Sequence, residues 1–164
     1  MTSASHSRFF WGLRLHLVCT VHGLPVGWAL TGAKADERET LCQVLGTMDQ
    51  PAQSGQVVIA DKNYFGAAFE FEAELAGSGI TLIRPSRKGE SPRRGQRFLR
   101  PLRQIIESVN DTLKGQLDLE RHGARTPTGV CSRITQRILA LTAAIWRNTL
   151  TDAPVLRSLT PYDH

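Results

Sequence analysis

An α/β fold is predicted by three features of the chain. The N-terminal region alternates apolar and polar residues, two short continuous apolar runs follow, and amphipathic segments of helical period lie between and after them. With 164 residues the chain is long enough for one domain with a proper core and too short for two large ones. Hydrophobic residues at 41% and charged residues at 21% place it among soluble globular proteins.

The elements follow in order. From Gly12 to Val21 the leucines Leu13, Leu15 and Leu17 alternate with Arg14, His16 and Val18, the period of a half-buried strand. His22-Gly23 reads as a turn, and Leu24 to Thr31 returns as the second arm of an antiparallel hairpin. His16 falls on the polar side and is expected to be a plain exposed histidine. Asp36 is placed to cap a helix running to about Met48, with Glu39 completing a capping box, and a cap explains Asp36 better than a catalytic role. Gln56 to Asp61 and Ile80 to Arg84 are short apolar runs, as in strands buried on both faces. An amphipathic helix ending near Leu75 joins them.

The stretch Arg103 to Lys114 reads as a helix, with Ile106, Val109, Leu113 and Leu117 on one stripe. A last helix carries Ile134, Ile138, Leu141, Ile145 and Trp146 on one side. Residues 1–150 are expected to form the domain, and 151–164, with Pro154 and Pro161, a loosely ordered tail. No apolar run approaches the roughly 20 residues needed to cross a bilayer, and the N-terminus lacks the pattern of a signal peptide. Cys19, Cys42 and Cys131 are widely spaced and read as buried thiols of a reducing cytoplasm. The five histidines are scattered and form no metal motif.

Charge divides unevenly. Residues 1–83 carry a balance of −3 and residues 84–164 a balance of +8. Arg84, Arg87, Lys88, Arg93, Arg94, Arg97, Arg100 and Arg103 stand against Glu90 alone, with Gly and Pro interspersed. That is a flexible basic segment suited to phosphate, or else a solvated basic loop with no partner. It leads into Arg103, Glu107 and Lys114, which an α-helix would bring within about 40° of one face. A carboxylate shown between two cations suits a metal beside nucleic-acid phosphate; the alternative is a solvated surface pair. Asp61 ends a buried run, where α/β sheets place site residues, or it is a turn-forming aspartate.

Strand, strand, helix, strand, helix, strand, helix is the ribonuclease H-like order without its first strand. Trp11-Gly-Leu-Arg-Leu-His-Leu, Ala35-Asp-Glu-Arg-Glu39, Ile59-Ala-Asp-Lys-Asn-Tyr64 and Arg103-x3-Glu107-x6-Lys114 resemble successive motifs of DDE-type insertion-sequence transposases, over roughly residues 6–150. The last matches Tyr-x2-Arg-x3-Glu-x6-Lys, with Arg100 where the tyrosine is expected.

The resemblance implies a mixed sheet flanked by helices, with Asp61 and Glu107 as catalytic, metal-binding acids. It implies Arg103 and Lys114 on DNA phosphate beside Arg93, Arg94 and Arg97 of the basic segment. It further implies a two-metal site for Mg²⁺ or Mn²⁺, acting in phosphodiester cleavage and strand transfer. The family's first aspartate precedes the hairpin, and none of the eleven residues before Gly12 is acidic. The expectation is therefore an N-terminally truncated transposase of a prokaryotic cytoplasm. It would bind DNA, at transposon ends or without sequence preference, and be inactive alone. Alternatives are a non-catalytic remnant that binds DNA or pairs with and inhibits intact transposase, and a ribonuclease H-like nuclease acting on RNA.

Overall fold

The computed structural model describes residues 12–48, 55–61, 64, 75–93 and 95–162. Strands β1 (Leu13–Cys19) and β2 (Pro25–Gly32) form the expected hairpin, with Leu15 opposite Leu30, Leu17 opposite Trp28 and a register shift between Val18 and Cys19. The turn closes through Gly23, whose N–H donates to the Thr20 carbonyl at 2.9 Å and whose φ of +86° lies in the left-handed region. Helix α1 (Glu37–Thr47) begins at Asp36, whose carboxylate accepts the N–H of Arg38 at 2.8 Å and of Glu39 at 3.4 Å. Asp36 is thus a cap, as its spacing implies.

Strands β3 (Val57–Ile59) and β4 (Thr81–Ile83) run parallel, Val58 beside Leu82. Among the described residues the strands form two separate two-stranded sheets, β1–β2 and β3–β4. The expected helix between β3 and β4 lies mostly outside the described residues. Burial of β3 on both faces does not hold, since Val57 is 53% exposed and Ile59 also faces solvent. Only Val58 packs into the cluster that α1 builds from Leu41 and Leu45 with Ile80, Leu82 and Val18. One covered face explains why only the middle position of three is even partly buried.

The hairpin is a middle layer. Val18 packs toward α1, whereas Leu17 and Cys19 pack toward the two C-terminal helices, α2 (Leu99–Asp111) and α3 (Pro127–Leu150). Val109, Leu113 and Leu141 are fully enclosed there, with Ile145, Ile106 and Leu117 around them. Burying a side chain of this size contributes roughly 1.5–3 kcal/mol. At Thr112 the coil widens into a π turn, Thr112–Gln116, closed by the Leu117 N–H on the Thr112 carbonyl at 3.0 Å. A Thr126 cap and Pro127 at the first position start α3.

Expectations at His16, Trp146 and Cys131 are corrected by packing. His16 is buried, its Nε2 2.9 Å from the Thr31 hydroxyl across the hairpin, because α1 covers that face. Burial and the nearby Arg14 charge hold its imidazole below the usual pKa. Trp146 is 65% exposed: it sits about 100° around α3 from buried Ile145 and joins Leu139 and Leu150 on an outer stripe. The side chain of buried Asn148 donates to the Leu156 and Ser158 carbonyls of the segment after α3. Of the cysteines, Cys131 is exposed, while burial pushes the half-buried Cys19 thiol up to about 12. Among the described residues no helix is long and apolar enough to cross a membrane.

Candidate nucleic-acid interface

The basic stretch between β4 and α2 is pinned at two places. Arg84 is 4% exposed, and its guanidinium donates to both carboxylate oxygens of Glu90, at 2.9 and 3.0 Å. Glu90 also accepts the Arg87 N–H at 2.8 Å. The Arg84 hydrogen bonds, then that N–H, hold the Glu90 carboxyl down at about 2. The Gln96 carbonyl oxygen accepts the Ser86 hydroxyl at 2.8 Å and the N–H groups of Ser86 and Arg93 at 3.3 Å. Expected as part of a flexible basic segment, Arg84 is instead the buried staple that folds it. The bidentate acid six residues on supplies the reason.

What the loop borders is a cleft of about 410 Å³ lined by Pro85, Gln96, Leu99, Arg100, Arg103, Gln104 and Glu107. Four of the five α2 residues, Arg100, Arg103, Gln104 and Glu107, lie at i, i+3, i+4 and i+7, one helical face. The opposite requirement, Val109 in the core, fixes which way that face turns. Arg100, Arg103 and Glu107 are exposed, and among the described residues none of them forms an ion pair. The cleft thus offers two guanidinium forks, one carboxylate and two side-chain amides to a ligand. Arg97 is also exposed and lies 4.7 Å over the Phe98 ring, at the start of the same helix.

The remaining site candidates are placed elsewhere. Lys114 sits within the π turn, where α-helical spacing no longer applies, and pairs with Glu120 at 2.9 Å rather than lining the cleft. Asp61 is exposed just past the C-terminal end of β3, where its backbone carbonyl accepts the Tyr64 N–H at 3.2 Å. Burial first, then the Glu37, Asp61 and Asp36 carboxylates, push the Tyr64 phenol above its ordinary range against an opposing Arg14. Asp61 does not line the Glu107 cleft. Arg93 is half-buried at the Gln96 pin, and Arg94 lies outside the described residues. Gln104 escaped notice in the sequence although the Arg100, Arg103, Glu107 spacing points to it. Gln96 carries no such signal.

A family model described as the transposase DDE domain matches residues 2–143. The chain belongs to the transposase DDE domain family. No curated protein and no solved structure matches it significantly. DDE transposases generally use divalent metal ions. Among the described residues of this DDE domain, no three His, Cys, Asp or Glu side chains come together to hold one. Of the two acids that the sequence motifs point to, Glu107 lines the α2 cleft and Asp61 does not.

Proposed function

We propose that this DDE domain acts in DNA transposition as a duplex-binding unit of ribonuclease H-like fold. The observation that carries the reading is the Arg100, Arg103, Gln104, Glu107 face of α2, turned into a cleft beside a pinned basic loop. Arg93, Arg94, Arg97 and Arg103 contact phosphate, with Arg100 added by the cleft. Lys114 supplies a further cation once Glu120 releases it. Asp61 and Glu107 are the acids carried by the family motifs. An antiparallel β1–β2 hairpin, a helix and then a parallel β3–β4 pair keep the element order of the ribonuclease H-like reading, which supports it.

The physical chemistry is straightforward. Guanidinium groups bind phosphate as planar forks and release condensed counterions on doing so. Glu107 sets a limit on that attraction, because its charge repels phosphate unless a cation or proton intervenes. With no third acid gathered beside either of them among the described residues, the domain holds duplex DNA and does not cut it alone.

Fluorescence anisotropy of a labelled duplex across a sodium chloride series tests this. Affinity is expected to fall steeply with salt, and Arg100→Ala with Arg103→Ala to reduce the log–log slope by about 2. A flat salt response would sink the binding reading. Nicking of supercoiled plasmid with Mg²⁺ or Mn²⁺, lost in Asp61→Ala or Glu107→Ala, would overturn the claim that the domain does not cut.

A further inference from the structure

The C-terminal segment is tied to the cleft helix on one face. Thr112 donates its hydroxyl to the Arg157 carbonyl at 2.7 Å, and the Gln116 side-chain oxygen accepts the Leu159 N–H at 2.7 Å. Arg157 Nε donates to the Ser108 hydroxyl at 3.2 Å. Ser108 lies in the last turn of α2, and Thr112 and Gln116 are the two ends of the π turn, so the segment grips the end of the helix and brackets that turn. Ser108 directly follows Glu107 in the chain.

The same arginine reaches the hairpin. Its Nη1 donates to the His22 carbonyl at 3.1 Å, and its stem lies over Gly23. Asn148 locks the far end. It is 1% exposed, its amide donates to the Leu156 and Ser158 carbonyls at 3.0 Å, and its oxygen accepts the Tyr162 hydroxyl at 2.6 Å. Asn148, Arg157 and Tyr162 all lie beyond residues 2–143, the stretch matched to the DDE family. The residues that hold the far end of this strap thus lie outside the matched stretch, and its anchors on the helix lie inside it.

We propose that Arg157 is a positioning residue, fixing α2 against the hairpin turn so that Arg103 and Glu107 keep a set orientation in the cleft. A guanidinium suits the task because two of its nitrogens donate in different directions from one rigid plane, which an ammonium on a flexible stem cannot reproduce. The Asn148–Tyr162 lock determines where Arg157 sits. The consequence for DNA rests on the function proposed above; the orientation of α2 does not.

The test compares Arg157→Ala, Arg157→Lys and Tyr162→Phe in the full chain by hydrogen exchange without DNA and by duplex binding across a salt series. Exchange of the amides of residues 108–116 should quicken about tenfold in both Arg157 variants, the factor expected for one charge-assisted hydrogen bond, and less in Tyr162→Phe. Amides of β1 and of the buried middle of α3 should stay protected. Duplex affinity should drop in both Arg157 variants with the salt slope unchanged, since Arg157 itself touches no phosphate.

Unchanged exchange at 108–116 in the variants would overturn the proposal. So would full rescue by lysine with a slope lowered by about 1 in Arg157→Ala, which would make Arg157 a simple phosphate contact. Uniformly faster exchange across the molecule would also overturn it, by reducing the strap to a general support. Should the unaltered chain fail to bind duplex DNA, the functional reading falls while the exchange data still decide the strap. Tyr162→Phe removes only one hydroxyl, so it keeps the test open if an Arg157 variant does not fold.

Discussion

Gly23→Ala is the sharpest probe of how the hairpin, α2 and the strap meet. A Cβ there would lie 2.5 Å from Arg157 Cδ and 3.1 Å from Val109 Cγ2, at a φ of +86°. An L-residue in the left-handed region costs roughly 1–2 kcal/mol. Val109 is fully buried and cannot yield, so Arg157 must swing away. That movement loses the bonds to the His22 carbonyl and Ser108 hydroxyl, worth about 1–2 kcal/mol together. The expected destabilisation is about 2–4 kcal/mol, read in urea as a lower midpoint at unchanged slope. In an Arg157→Ala background the clash is already gone, so the cost should shrink to the strain alone, about 1–2 kcal/mol. A cost below about 0.5 kcal/mol, or an equal cost in both backgrounds, would refute the reasoning.

Leu141→Ala, in the fully enclosed cluster under the hairpin, should cost about 2–5 kcal/mol by chemical denaturation, whereas Trp146→Ser on the outer face should stay within about 0.5. His16 favours its neutral form in the fold, so its contribution is full above pH 6.5 and declines as pH falls through the lowered folded value. His16→Gln should flatten that part of a thermal stability profile; an unchanged profile would dissociate His16 from it. Glu90 has the same sign at lower pH. Its grip on Arg84 is complete above the ordinary carboxylate value of 4.5 and is lost as pH falls toward about 2. Loop amides should exchange faster at pH 2.5 than rate–pH correction predicts, and Glu90→Gln should show fast exchange throughout.

Local pattern carried the sequence reading as far as local physics reaches. The strand over Leu13 to Leu17, the Asp36 cap and the Ile106, Val109, Leu113 stripe depend on neighbours within one or two turns, and each element appears where its spacing puts it. That Arg103 and Glu107 share one helical face is legible for the same reason. What failed depends on distant partners. Val57 and Ile59 need a second covering layer that a six-residue window cannot reveal. Arg84 looks like one more loop cation until Glu90 folds back on it. Lys114 leaves the expected face because the helix widens at Thr112, beside carbonyls and side chains contributed by residues 157–159. The two prolines of the tail signalled an irregular path correctly and gave no hint of Asn148 receiving it.

The bond from Arg157 to the His22 carbonyl spans 135 residues, which places a deadline on the assembly of the domain. At ribosomal speeds of 5–20 residues per second, the arginine is added roughly 7–27 s after the turn it closes. Hairpins form in about 1–10 μs, so the first-made part of the domain waits for the last through millions of its own relaxation times. Until α2 and α3 are made, late in that interval, the face of β1 that they will cover has no cover, and Leu17 and Cys19 meet solvent or other chains instead. Newly made chains of this domain should therefore be most prone to misassociation late in synthesis, just before the strap arrives.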